Sequence, residues 1–291
     1  MAYDDTKWGG NAKIIVDTST LSVGDTVRVR SMTDSNAVYN KQVVTVGTPI
    51  IFETEIYKDY VKICLVQTIG GVATEVGGVY KEVDYGRVLW INVLDKKSLG
   101  GCKGILNSHQ ETNFLSIGDI VPITVNGNPW DMQISGINVY HAHDIMFTSR
   151  YVLSSSNTGT NYSSSSLRTA VQTFYNDIAE NDRQYIEKVQ RRFRGSMGTE
   201  VDYEDYCFVL GNRETVNASN YGLVSGQVQL PLFVTQANRM KTYNGSASAY
   251  WTSDSYDSST VNMVTAQGAI SYQGTGNTYG VVPSFMLVAD S

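Results

Sequence analysis

The run Tyr279-Gly280-Val281-Val282-Pro283-Ser284-Phe285-Met286-Leu287, close to the last residue of the sequence, constrains the fold more than any other stretch. A strand that apolar needs neighbours on both faces. It is therefore expected to lock the domain that contains it. Ahead of it lie Asn238-Arg239-Met240-Lys241-Thr242-Tyr243-Asn244-Gly245 and Tyr250-Trp251-Thr252-Ser253-Asp254, an aromatic pair entering a short strand. A Gly, Ser, Asn and Tyr-rich segment follows. On this order the segment from Ser253 to Thr278 is expected to be free to vary and to form a display surface.

Composition supports a binding role without fixing it. Nineteen tyrosines and 26 glycines accompany a charged fraction of only 17%. Tyrosine gives contact area at low entropic cost, and Ser, Gly and Asn give adaptable hydrogen bonds; tyrosine also suits ordinary strands. A net charge of -6 argues against a nucleic-acid partner, which needs Lys and Arg in excess on one face. Arg191-Arg192-Phe193-Arg194 is the local exception and reads as a solvated helix end before an anion site. No charged-then-apolar leader opens the sequence, and no run approaches the roughly 18 apolar residues of a membrane span, so no membrane insertion is expected. Cys64, Cys102 and Cys207 are odd in number and widely spaced, which speaks against a disulfide framework or a zinc ribbon. Cys64 and Cys207 read as small core residues.

At 291 residues the chain has room for two domains. In residues 1–94 short strands alternate with turn signals. Candidates are Lys13–Asp17, Leu21–Asp25, Thr26–Arg30, Gln42–Val46, Ile50–Tyr57, Tyr60–Gln67, Val79–Val83 and Val88–Val93, with Gly70-Gly71 and Gly77-Gly78 as turns. About seven strands without a convincing helix predict a small antiparallel β-sandwich, immunoglobulin-like or transthyretin-like, serving as a spacer or docking module. Residues 95–115 read as a short helical connector, with Leu99, Cys102, Ile105 and Leu106 on one face and Ser98 as a candidate cap.

From residue 116 onward the pattern is α+β. An alternating strand runs into Asn126-Gly127, a hairpin signal whose return strand is Trp130–Ile137. His141, His143 and Asp144 are candidate metal ligands, since two histidines at i and i+2 share one strand face; a third partner is not evident and no cofactor is expected. Ser163–Ser166 offers N-caps to a helix whose Leu167, Val171, Phe174 and Ile178 form one apolar stripe. A second helix is expected from Asn181, with Gln184 completing a capping box, burying Tyr185, Ile186 and Val189. Glu200–Tyr206 lacks the ligand order of a calcium loop and reads as a solvated loop leading into the strand at Tyr206–Leu210.

Taken in order, residues 116–291 resemble a family of C-type-lectin-like domains from bacteriophages and prophages of Gram-positive gut bacteria. The likeness is carried by Gly118-Asp119, Asn126-Gly127, Ser163–Arg168, Phe174-Tyr175-Asn176, Phe208-Val209-Leu210, Asn238-Arg239, Asn244–Ala247, Tyr250–Ser253 and Gly280–Pro283. The family usually shows Trp-Trp-Leu-Arg-Ser-Pro where this chain has Tyr250–Ser255. The resemblance implies a mainly β fold with an α+β part: an N-terminal immunoglobulin-like sandwich, then a C-type-lectin-like domain at 116–291. The Glu-Pro-Asn and Gln-Pro-Asp triplets of calcium-dependent sugar binding are absent, and a fold can persist without that chemistry.

What the resemblance implies for function is a phage virion structural protein, assembled in the host cytoplasm, that presents a receptor-binding surface on a tail or capsid fibre. The N-terminal domain would face other virion proteins. The C-terminal domain would face a host cell-surface glycan or protein. A homo-oligomer is expected, a trimer by preference. The contact residues predicted on this reading are Tyr250, Trp251, Asp254, Tyr256, Asp257, Asn262, Tyr272, Gln273, Asn277 and Tyr279, because aromatics stack on sugar rings while Asp and Asn take hydroxyls. The alternative is a capsid decoration or tail adaptor subunit that stabilises the particle without binding a receptor. An enzyme is not expected: no Gly-x-Ser-x-Gly elbow, His-Glu-x-x-His helix or phosphate-cradling loop occurs. Asp254 and Asp257 are the only pair that invites a glycosidase reading.

Overall fold

The computed structural model describes residues 12–18, 21–33, 38–54, 59–69, 72–83, 88–92, 98–107, 109 and 111–290. The described residues are mainly β, arranged in open sheets. The chain divides into two compact units, Met1–Lys96 with Gly100–Gln110 and Lys97–Leu99 with Glu111–Ser291. No helix among the described residues is long and apolar enough to cross a membrane.

The first unit holds β1 (Ala12–Asp17), β2 (Thr26–Ser31), β3 (Val38–Gln42), β4 (Ile50–Thr54), β5 (Asp59–Ile69), β6 (Val72–Val83) and β7 (Val88–Asn92). They form two sheets, β4-β1-β7 and β3-β2-β5-β6. Strand β2 alternates strictly, with Val27 and Val29 buried and Arg28 and Arg30 turned to Glu75 on β6, as a half-buried strand requires. The sheets are not wholly antiparallel, because β1 runs parallel to β7. Leu21–Asp25 is a turn rather than a strand: Gly24 has φ 98° and the Asp25 carboxylate accepts the Ser22 N–H at 2.8 Å. Gly77-Gly78 does not turn the chain but lies inside β6, where the register with β5 slips between Ile63 and Leu65. Gly78, at φ 136°, lies so close to Cys64 that a Cβ there would come within 3.3 Å of the Cys64 Cβ, a bulge that only glycine fits without strain. The Gly70-Gly71 turn, the N-terminal leader reading and the first residues of the connector fall outside the described residues.

Helix α1 (Leu99–Asn107) buries Leu99, Cys102, Ile105 and Leu106, the stripe its spacing predicts. All three cysteines are buried and none is in a disulfide.

The second unit begins with α2 (Glu111–Phe114) and the hairpin β8 (Ile120–Val125) and β9 (Asn128–Ile137). Its turn residues Asn126 and Gly127 take φ 48° and 75°, the left-handed pair that an Asn-Gly hairpin needs. Then come β10 (Asp144–Ser149), β11 (Ser155–Ser156), α3 (Ser166–Asp177), α4 (Glu180–Arg183), β12 (Val189–Arg194), β13 (Glu200–Asp205), β14 (Cys207–Phe208), α5 (Asn212–Thr215), α6 (Gln236–Arg239), β15 (Lys241–Tyr243), β16 (Ser246–Ser248), β17 (Tyr250–Ser255), β18 (Thr260–Val264), β19 (Ile270–Gly274), β20 (Tyr279–Gly280) and β21 (Ser284–Val288).

Two five-stranded sheets organise this unit, β14-β21-β10-β9-β8 and β11-β20-β17-β18-β19. The last strand, β21, pairs with β10 on one side and β14 on the other, and its Phe285 ring meets Phe147 at 5.3 Å. Helix α3 is capped by the Ser165 hydroxyl, which accepts the Arg168 N–H, and buries Leu167, Val171 and Phe174. The expected second helix is only α4: its cap position, Ala179, has no side-chain acceptor, and Val189 already begins a strand. The arginine run and the acidic stretch are likewise strands. Between β12 and β13 Arg192 bonds Asp202 across the ladder, and Lys188, just before β12, bonds Glu204, so opposed charges replace the solvated helix end and the solvated loop.

Candidate functional site

Strand β17 sits in the middle of its sheet, and all six of its residues are buried. Asp254 on it is fully enclosed, so its carboxylate must take its partners from the protein. It takes two backbone donors, the Arg194 N–H at 2.9 Å on Oδ1 and the Asn212 N–H at 2.7 Å on Oδ2. Burial pushes its pKa up to about 6, and those two N–H groups oppose the rise. Close by, Glu214 of α5 accepts from the Tyr140 hydroxyl at 2.5 Å, from the Gly211 N–H at 2.8 Å and from the buried Arg191 guanidinium. Arg191 lies 4.2 Å from the centroid of the Phe208 ring. Burial works against its charge, and Glu214 more than restores it, so the guanidinium is held above its ordinary range. Tyr140 is pushed above its ordinary range by burial and then by the Glu214 charge.

This polar interior supports an aromatic surface. Tyr256, just past β17, stacks on Tyr272 of β19 with centroids 4.1 Å apart and planes 5° from parallel. Tyr221, at the end of the 3-10 turn Ser219–Tyr221, leans on both at 5.6 and 6.1 Å. Tyr272 is 42% exposed, and the other two are half-buried. The turn is tied to the sheet from beneath: Asn262 on β18, paired with Tyr272 across the ladder, donates its amide to the Tyr221 carbonyl at 2.9 Å. The Arg194 guanidinium reaches the same carbonyl at 3.5 Å and packs against Gly222 so closely that a Cβ there would overlap it. Farther along β12 an open cleft of about 320 Å³ is lined by Tyr140, His141, Gln190, Arg192, Ser225 and Gln227, among others.

The ten contact residues predicted from the sequence separate into two sets. Tyr256, Asp257, Tyr272, Gln273, Asn277 and Tyr279 are at least partly accessible. Tyr250, Trp251, Asp254 and Asn262 are interior and cannot form a display surface. Each is spent on the fold: the Tyr250 hydroxyl donates to the Arg239 carbonyl at 2.9 Å, and the Trp251 indole donates to the Ser156 carbonyl at 2.8 Å. Tyr279 packs edge-on against Trp251 at 4.9 Å. The reason is position: β17 and β18 lie inside the sheet, so much of the polar segment read as a display surface is core. Asp257 binds the backbone N–H groups of Ser259 and Thr260, both at 2.8 Å, which holds its pKa down. Asp254 and Asp257 therefore do not form an acid–base pair facing a common cleft. Tyr221 and Arg194 were not singled out as contact residues. Tyr221 carries only the turn signal of the Gly222 that follows it, and Arg194 reads as one of a run of charges.

Asp144 is not poised for a metal. Its carboxylate accepts the N–H groups of Val139, Tyr140 and His141 at 2.7–2.8 Å, closing the loop that precedes β10. His143 Nδ1 lies 2.9 Å from Glu111, and His141 is exposed. Among the described residues no group of three or more His, Cys, Asp or Glu side chains is placed to hold a metal ion.

A β-rich domain with a buried polar frame and an aromatic face is the class this geometry defines. The chain belongs to the family described as a domain of unknown function, DUF6273, which matches residues 142–289, just over half of its length. The match runs from the start of β10 through β21 and so takes in the whole tyrosine surface. No curated protein matches the chain. No solved structure matches it either.

Proposed function

We propose that this chain is a bacteriophage virion structural protein that presents a host-receptor surface, with Tyr221, Tyr256 and Tyr272 as its centre and a cell-surface glycan as its ligand. The single observation that carries the reading is the stacked Tyr256–Tyr272 pair, held at an accessible sheet edge by a frame whose Asn262 amide and Asp254 carboxylate bond backbone groups. Rings and hydroxyls set in advance bind sugars without a large ordering cost. Asp257, Gln273 and Asn277 fringe the surface with acceptors and donors. On this reading the second unit is C-type-lectin-like, and support comes from its late, apolar β21 inserted between β10 and β14 of a five-stranded sheet. The first unit, an immunoglobulin-like or transthyretin-like sandwich, serves to dock on other virion proteins, and the assembled protein is a trimer on the particle.

The test is attachment. The full chain, labelled and added to cells of a bacterium that the parent phage infects, is expected to bind them, and Tyr272→Ala is expected to abolish that binding while the protein stays folded. Failure of the native chain to bind any susceptible cell, together with a particle structure in which Tyr272 is covered by another virion protein, would establish the decoration or adaptor role instead.

A further inference from the structure

Three guanidinium groups converge on the short segment from Tyr221 to Ser225. Arg192 reaches the Ser225 hydroxyl at 3.0 Å, Arg194 the Tyr221 carbonyl at 3.5 Å and Arg213 the Val224 carbonyl at 3.2 Å. Their charges are treated differently. Arg192 is neutralised by Asp202 and Glu200 on the neighbouring strand. No carboxylate among the described residues forms an ion pair with Arg194 or Arg213.

Arg194 is the better placed of the two. Its backbone is pinned by Asp254, and its side chain ends at the carbonyl of one of the three surface tyrosines. Two glycines with positive φ make room for it: Gly222 at 77° and Gly198 at 80°, where a Cβ would come within 3.2 Å of Arg194 Nη2. Side chains at those two positions would crowd the guanidinium. Its 3.5 Å bond to the carbonyl is long, so most of its donor capacity is uncommitted. A fork of this kind suits the two oxygens of a carboxylate or a phosphate.

We propose that Arg194 is the anion anchor of the tyrosine surface and that the ligand is an acidic carbohydrate, one whose chain carries a carboxylate or a phosphate, with its rings against Tyr256 and Tyr272. The inference rests on the glycan-binding reading above and narrows it to a ligand class. The protein's overall charge of -6 repels such a ligand at a distance. Recognition therefore depends on this local pairing rather than on long-range steering, and it weakens as salt screens it.

The experiment compares the full chain on three immobilised probes: a neutral N-acetylglucosamine oligomer, a hexuronic acid oligomer and a glycerol phosphate polymer. At least one anionic probe is expected to bind about tenfold or more tighter than the neutral one at low salt, the size of a charge-assisted bond. Which one does so separates the carboxylate from the phosphate source. Arg194→Gln is expected to bring the anionic probe down to the neutral level, and Arg194→Lys, which keeps the charge but not the fork, to recover part of the preference. Should Arg194→Gln unfold, the lysine variant alone decides, because a purely structural clamp would leave its probe preference at the native value. Equal binding of neutral and anionic probes, or a preference that survives in both variants, overturns the acidic class and leaves the glycan reading intact. Binding to none of the three by a chain that still attaches to host cells overturns the acidic class as well. Binding neither to probes nor to cells overturns both.

Discussion

Arg194 donates its backbone N–H to the buried carboxylate of Asp254, 60 positions further along the chain, while its own guanidinium reaches the Tyr221 carbonyl. One residue thus couples the enclosed polar frame to the accessible aromatic face. That bond ties the last residue of β12 to β17. A change that disturbs the Asp254 carboxylate is therefore felt at the surface, although Asp254 has no exposed atom of its own to offer a ligand.

Asp254→Asn tests that coupling. Asparagine has one acceptor oxygen where two backbone donors, Arg194 and Asn212, now find one each. One N–H is left facing an NH2 group, a loss of about 1–3 kcal/mol. The pH dependence runs in a definite direction. The folded state holds the Asp254 proton more tightly than the unfolded chain does, up to about 6 against 3.8. Its contribution to stability is therefore full below pH 4 and is lost as pH rises through 6, a swing of about 3 kcal/mol. Urea titrations at pH 4 and 7 are expected to show that swing in the native protein and to lose it in Asp254→Asn.

Glu214→Gln removes the charge that balances Arg191. With Arg191 enclosed and Glu214 its ion-pair partner, the variant is expected to lose about 3–5 kcal/mol in chemical denaturation. The double substitution Arg191→Met with Glu214→Gln removes both charges and keeps an acceptor for the Tyr140 hydroxyl and the Gly211 N–H. It is expected to recover much of the loss, which separates the cost of an orphaned charge from any need for the pair itself.

Local signals were enough for some elements and silent on others, and the difference is one of sequence range. Asn126-Gly127 fixes its hairpin through backbone angles that only a few residue types adopt, and the Leu167, Val171, Phe174 stripe fixes α3 through a period the sequence displays. The stretch from Gln190 to Arg194 shows period-two burial once folded, but its charges find partners only at long range, Arg192 in Glu200 and Asp202 on the partner strand and Arg191 in Glu214 on α5. The same holds for β17 and β18. Asp254 and Asn262 look like surface residues, because the backbone groups that bond their side chains belong to the distant Arg194, Asn212 and Tyr221. Of the site itself, Tyr256 and Tyr272 were legible as exposed aromatics. Tyr221 was not, since nothing near it in the sequence tells that a turn folds it onto β19.

Lys241 offers a stability prediction independent of the site. It is 2% exposed, its ammonium lies 5.3 Å from the centroid of the Phe233 ring, and burial, with Arg150 adding to it, brings its pKa down from 10.5 to about 7. The folded state therefore disfavours the charge that the unfolded chain keeps. The penalty is full below pH 7 and disappears as pH rises toward 10.5. Lys241→Met, of similar length and without the charge, is expected to raise stability by about 1–4 kcal/mol at pH 6.5. It should also flatten the rise that the native protein shows between pH 7 and pH 10.

Trp251→Ala and Tyr272→Ala should fail in opposite ways, although the sequence reading places both among the contact residues of one surface. Trp251 is enclosed, carries a hydrogen bond to the Ser156 carbonyl and meets Tyr279 edge-on. Its truncation leaves a large void and an orphaned carbonyl, an expected loss of about 3–5 kcal/mol, so a drop in cell attachment by that variant would report on folding. Tyr272 is 42% exposed and stacks on Tyr256. Its truncation forfeits about 0.5–1.5 kcal/mol of ring contact and little burial. The expected result is a melting temperature near the native one together with loss of attachment to host cells, read by flow cytometry of labelled protein. Native-level attachment by Tyr272→Ala, and by Tyr256→Ala beside it, would remove the tyrosine surface from the binding function and move the search to the cleft at Gln190 and Ser225.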